Sequence, residues 1–197
     1  MLIFLPFIIA GFLVGRRRWW VDPPRLRLLW LVCTASVLQL VVLRWPISPP
    51  ILAVTLVTTQ VIIFIFIVAN YQHRSLWILE LGLGLNLLVI SINGGMPLSP
   101  EMVGRLIPQL PGEVWEVGSR FMNSKDIILL RESTVMWSLS DRFFLAVGSY
   151  RVAYSLGDIF IGIGTFLFLS GLEKRTGVFP SWHLNQADKL TTSSGQP

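Results

Sequence analysis

Five long apolar runs interrupt the chain, and no other feature limits its possible folds so sharply. They cover about residues 2–18, 28–44, 51–69, 76–92 and 154–172. Within each run the apolar residues follow one another almost without a break, so no polar stripe remains to face water. A bilayer crossing needs roughly 20 mainly apolar residues, with about 17 to 25 tolerated. Charge points the same way, because only 14% of the 197 residues are charged, against about 25% in an average soluble domain. The expected fold is therefore all-α and integral to a membrane: five transmembrane helices, with a long extracytoplasmic loop, residues 93–153, between the fourth and fifth. Residues 1–172 would form the membrane domain, and residues 173–197, polar and rich in Ser, Thr and Gln, a flexible cytoplasmic tail.

The first run is short and invites comparison with a signal peptide. A signal peptide carries its basic residues before the apolar stretch and a small-residue cleavage site after it. Here Arg16, Arg17 and Arg18 follow the apolar stretch and nothing basic precedes Leu2, so the run reads as a retained span with its N-terminus outside. Orientation follows from the remaining basic residues. One side holds Arg16, Arg17, Arg18, Arg25, Arg27, Arg74, Lys174, Arg175 and Lys189, nine of the sixteen; the short turn opposite holds only Arg44. Basic residues in short loops mark the cytoplasmic side. The long loop balances six basic residues with six acids and is expected outside. The net charge of +5 is thereby accounted for by topology and lipid headgroups, without nucleic acid. Cys33 is the single cysteine, which excludes a disulfide scaffold.

Ionisable groups inside spans are functional candidates by default. Glu80 lies about one turn into the fourth run and Asp158 about one turn into the fifth, near opposite faces of the bilayer, so a shared metal site is not expected. Gly82 and Asn86 lie four apart on one helical face, with Asn93 seven further on. Ser155, Asp158, Gly162 and Thr165 make a matching stripe on the fifth run. Small residues let helices approach and amides bond across the contact, so the fourth and fifth helices should pack together, with an Asn93–Asp158 hydrogen bond within reach. Asn86, Asn93, Asp158 and Glu80 are the candidate site or packing residues. Gln39 and Gln60 should face protein and not lipid.

In the long loop, Ser99-Pro100-Glu101 is a helix start: a capping serine, proline in the first turn and an acid beside it. That helix is expected to end near Gln109. Residues 127–130 and 135–139 read as short extended segments. Chemistry is sparse. His73 and His183 stand alone, without HExxH or CxxC, and there is neither a GxSxG elbow nor a phosphate loop. No cofactor, metal site or catalytic residue is expected.

Two stretches are distinctive together: Asn93-Gly94-Gly95-Met96-Pro97, and Ser155-Leu156-Gly157-Asp158 some sixty residues later. They resemble the motifs of a family of uncharacterised bacterial multi-pass membrane proteins, a domain of unknown function. The likeness extends over roughly residues 1–172. It departs at Ser140-Asp141-Arg142-Phe143-Phe144, which lacks the prolines that the family carries before its last helix. The resemblance implies a place in the bacterial inner membrane and no particular activity. The favoured function is a non-enzymatic accessory, assembly or membrane-embedded binding protein, its partners the lipid bilayer and either another protein or further copies of itself. A small transporter or lipid-handling protein using Asn86, Asn93 and Asp158 is the alternative, and an intramembrane enzyme comes third.

Overall fold

The computed structural model describes residues 4–21, 24–44, 49–107, 115–122 and 124–172. Six α-helices occur among them: α1 (Leu5–Val21), α2 (Leu29–Arg44), α3 (Pro49–Ala69), α4 (Arg74–Asn93), α5 (Pro100–Leu106) and α6 (Leu156–Ser170). Four strands join them, β1 (Met96–Leu98), β2 (Asp126–Ile128), β3 (Phe143–Val147) and β4 (Tyr150–Tyr154). β1 and β2 pair in parallel, and β3 and β4 form an antiparallel hairpin.

These elements correct the expected all-α fold of five membrane-crossing helices. Only α4 is both long and apolar enough to cross a membrane, among the described residues. The other apolar stretches, Leu5–Arg16, Leu29–Val42, Val54–Ala69 and Leu156–Ser170, are shorter. At 1.5 Å per residue, a fifteen-residue stretch reaches only about 22 Å of a roughly 30 Å hydrocarbon core. The expected ends of the fifth helix also overran the real ones. Tyr154 belongs to β4, and Ser155 caps α6. The loop, expected to hold a short helix and two short extended segments, holds two two-stranded sheets. The expectation for residues 173–197 lies outside the described residues.

The helices pack side by side, α1 on α6, α6 on α4, α4 on α3 and α3 on α2. Phe66, Ile67 and Leu76 form a buried cluster between α3 and α4. Contact between α4 and α6 depends on missing side chains. A Cβ on Gly82 would run into the Gly157 carbonyl and Ile161, and one on Gly164 into Leu79. Gly162, expected on the same contact, instead faces Phe7 of α1.

A second body sits on the C-terminal end of α4, and we call it the cap. Its core is Leu98, Met102, Val103, Phe121 and Ile128, closed over by Trp115, Phe144 and Ala153. Gly94 ends α4 at φ 76°, a left-handed turn that glycine adopts without steric penalty. Gly95 then lets the chain approach β2, since a Cβ there would lie 2.9 Å from the Lys125 carbonyl. The Met96 amide donates to that carbonyl at 2.9 Å and so starts the β1–β2 pair. α5 begins at the predicted Ser99 cap, whose hydroxyl accepts from the Met102 amide at 3.2 Å, and its last helical residue is Leu106. Residues 126–128 are extended as β2, whereas the expected extended segment at 135–139 contains a 3-10 turn, Trp137–Leu139.

Candidate functional site

Three polar groupings meet where α4 and α6 enter the cap. The first joins the two helices. Asn86 Nδ2 donates to Asp158 Oδ1 at 2.9 Å, and Ser155 Oγ donates to Asn86 Oδ1 at 2.8 Å. The Ser155 amide donates to Asp158 Oδ2 at 3.0 Å, and the Asp158 amide to Ser155 Oγ at 3.1 Å. Ser155 and Asp158 thus form a capping box, each side chain satisfying the other's backbone at the start of α6. Both carboxylate oxygens of Asp158 and both polar ends of Asn86 are engaged. Gly157 lies against Asn86 and the Gly82 carbonyl, leaving no room for a Cβ.

The second grouping is a clamp. Asn93 Nδ2 donates to the Val135 carbonyl at 3.0 Å, and Asn93 Oδ1 accepts the Val135 amide at 3.0 Å. One side chain therefore holds both backbone groups of a residue 42 positions away. Asn93 is bonded to the cap and Asp158 to Asn86, so the expected Asn93–Asp158 hydrogen bond is replaced by two separate ones. A similar clamp lies at the other end of the helices. Asn70, fully buried, accepts the Arg27 amide and donates to the Arg27 carbonyl, both at 2.8 Å. Asn70 drew no attention in the sequence because a polar residue after an apolar run reads simply as the end of a helix.

The third grouping is charged and lies in the cap. Lys125, Asp126 and Asp141 stand close enough to Asp158 for all four charges to influence one another. Asp141 is held beside the distinctive motif, its amide donating to the Pro97 carbonyl at 3.3 Å. It is 6% exposed, and its Oδ1 is buried without a hydrogen-bond partner. Asp126 accepts from Ser124 Oγ at 3.0 Å through Oδ2, while its Oδ1 is likewise buried and unpartnered. Burial pushes the Asp141 carboxyl up to about 7, against a pull from Lys125 and with the repulsion of Asp126 and Asp158. Burial also raises Asp126, although Lys125 and Ser124 oppose it. For Lys125, burial pulls the ammonium down, but Asp141, Asp126 and Asp158 together reverse this and leave it above the ordinary lysine value.

Glu80 stands apart from all of these. Its Oε1 accepts from Gln60 Nε2 at 2.8 Å, linking α4 to α3, and its Oε2 is buried without a partner. Gln39 Nε2 donates to Thr59 Oγ1 at 2.9 Å, so both glutamines face protein. Of the four candidate residues, Asn86 and Asp158 therefore meet each other, Asn93 sits one step outward, and Glu80 lies elsewhere. Asp141 and Asp126 were not singled out, because a loop aspartate is usually solvated. What marks them is burial, which the local sequence does not display.

Among the described residues no three His, Cys, Asp or Glu side chains are grouped so that they could hold a metal ion. No curated protein and no solved structure matches the chain. Residues 24–170, which include the α4–α6 junction and the whole cap, match the Family of unknown function (DUF5317), and the chain belongs to that family.

Proposed function

We propose that this is a membrane-seated, non-enzymatic binding or accessory protein, its helical layer set against lipid with α4 as the crossing helix, and its cap in the extracytoplasmic space. The observation that carries this reading is an inverted distribution of polarity in the helices. Thr59, Asn70, His73, Ser75 and Asn86 are buried, while Leu13, Trp30, Val37 and Val54 are 60–66% exposed. In water that arrangement would place large apolar surfaces against solvent; against lipid it is favourable, because polar groups there must find partners inside the protein. α4 supports it too, since only 28% of its apolar stretch is buried within the chain, unlike the core helix of a soluble domain.

Two experiments test this. After alkaline extraction and flotation the protein should stay with the lipid; its release to the soluble fraction would refute the reading. For orientation, Cys33→Ser removes the native thiol, and Val117→Cys places one on an exposed cap position. A membrane-impermeant maleimide should label it in intact cells, and labelling only after permeabilisation would invert the topology.

A binding or accessory role also fits the chemistry at the junction. Asn86, Asn93 and Asp158 are engaged in holding helices and cap together. The transporter alternative would need those groups to turn towards a substrate, and each is already committed to an internal hydrogen bond. Purification in mild detergent with mass spectrometry of co-purifying protein, lipid and metabolite separates the choices. A stoichiometric protein makes the chain a subunit, and one recurring small molecule makes it a binding protein.

A further inference from the structure

The cap contains a cleft of 280 Å³ between α5, β4 and the segment leading into β2. Its walls include Leu98, Leu106 and Phe121, and its polar groups are Asp126, Asp141 and Arg151. The two unpartnered oxygens described above, Asp126 Oδ1 and Asp141 Oδ1, belong to residues that line it. A buried carboxylate oxygen without a donor is costly, and here two occur beside one cavity.

The surrounding charges say what is missing. Asp126, Asp141 and Asp158 together carry three potential negative charges, and Lys125 is the cation that acts on all three. Asp158 is satisfied by Asn86 and Ser155. Arg142 lies over the Phe143 ring, and Arg151 Nη1 donates to the Arg105 carbonyl at 3.2 Å. Among the described residues, Lys125 is the cation whose charge bears on both remaining carboxylates. A positively charged group that donates hydrogen bonds to two acceptors at once would complete the site.

We propose that this cleft binds a primary ammonium group on a short apolar stem, with Asp141 and Asp126 accepting its N–H donors. An ammonium offers three donors from one compact centre. A quaternary amine offers none, and among the described residues no three His, Cys, Asp or Glu side chains are grouped to hold a metal ion. Leu98, Leu106 and Phe121 receive the methylenes. Arg151 at the same cleft favours a phosphate beside the amine, so an aminophospholipid headgroup and a free alkylamine share the required chemistry. This deepens the binding-protein reading above and is independent of where the helices reside.

The test uses the full chain in a mild detergent micelle, titrated calorimetrically with n-butylammonium at pH 8. Saturable binding is expected, weakened about tenfold or more for butyltrimethylammonium and for the isosteric Asp141→Asn variant. Asp126→Asn should weaken it too, and wild-type affinity should fall between pH 8 and pH 6 as protons compete for Asp141. No saturable binding to folded wild type, equal binding of the quaternary amine, or unchanged affinity in Asp141→Asn would each overturn the proposal. Nanodiscs separate the two sources. Wild type melting higher in phosphatidylethanolamine than in phosphatidylcholine, with the difference lost in Asp141→Asn, identifies a lipid headgroup. Equal melting in both, with butylammonium still bound, identifies a free amine. Release from membranes by alkaline extraction with amine binding intact would refute the membrane placement and leave this inference standing.

Discussion

The α4–α6 junction and the cap treat buried polar groups in opposite ways. Between the helices, Asn86, Ser155 and Asp158 form a closed set in which each polar atom has a partner. In the cap, Asp141 is buried and Asp126 half-buried, and each has one buried oxygen left over. A low-dielectric site makes satisfied networks rigid and unsatisfied ones expensive. The junction between α4 and α6 accordingly has the character of structure, whereas the cap's carboxylates have the character of a site waiting for a donor.

The sharpest way to break that contrast is to force the helices apart. Gly157→Val would drive a side chain into Asn86 and the Gly82 carbonyl, and overpacking of this kind costs about 3 kcal/mol. Thermal unfolding in detergent should show it as a large loss. Gly84→Val on α4, where nothing lies within 4 Å, should change little, and equal losses at both would refute the close-contact account.

Next in size is the junction itself. Asp158→Asn keeps the shape of the side chain but removes charge-assisted hydrogen bonds, a loss of about 1.5–3 kcal/mol. Combined with Asn86→Ala it should cost less than the two single losses added together, with a coupling of about 1 kcal/mol. Full additivity would mean that the two residues act separately.

The cap should answer differently, through pH. Asp141 titrates at about 7 in the fold against an ordinary 3.8, so the folded state holds its proton more tightly than the unfolded chain. The resulting stability is complete below about pH 4 and is lost as pH rises through about 7. Amine-free protein should therefore melt lower at pH 8 than at pH 5. Asp141→Asn should flatten that slope and melt above wild type at pH 8. An unchanged slope in the variant would assign the pH dependence to other groups.

The smallest expected effect belongs to the link between the two regions. Asn93→Ala removes both hydrogen bonds to Val135, about 1 kcal/mol, chiefly from local stability. Amide exchange at Val135 should accelerate while the helices stay protected. A global loss of protection would show instead that cap and helices unfold together.

Several of these features were legible in the residues. Every apolar run became a helix within a few residues of its expected limits, and the start of α5 was read correctly at Ser99-Pro100-Glu101. The α4–α6 contact followed from Gly82, Asn86, Ser155 and Asp158 lying on matched faces. Less was visible in the loop. Phe143 to Tyr154 alternates too weakly to announce a hairpin, and β1 is three residues whose partner lies thirty positions away. The number of crossings was also misread, because an apolar run that forms a helix need not be long enough to cross: four of the five apolar helical stretches are too short among the described residues.

Local matters were fixed by the residues alone: where helices form, where Ser99 starts one, and which helix faces are small enough to meet. These follow from backbone sterics and side-chain periodicity over a few residues. Packing over long distances was needed to show that Asn86 and not Asn93 reaches Asp158, that Asn93 and Asn70 clamp distant backbone, and that Asp126 and Asp141 line one cleft. Burial and long-range pairing depend on which segments the fold stacks together, and the identity of a residue does not carry that information.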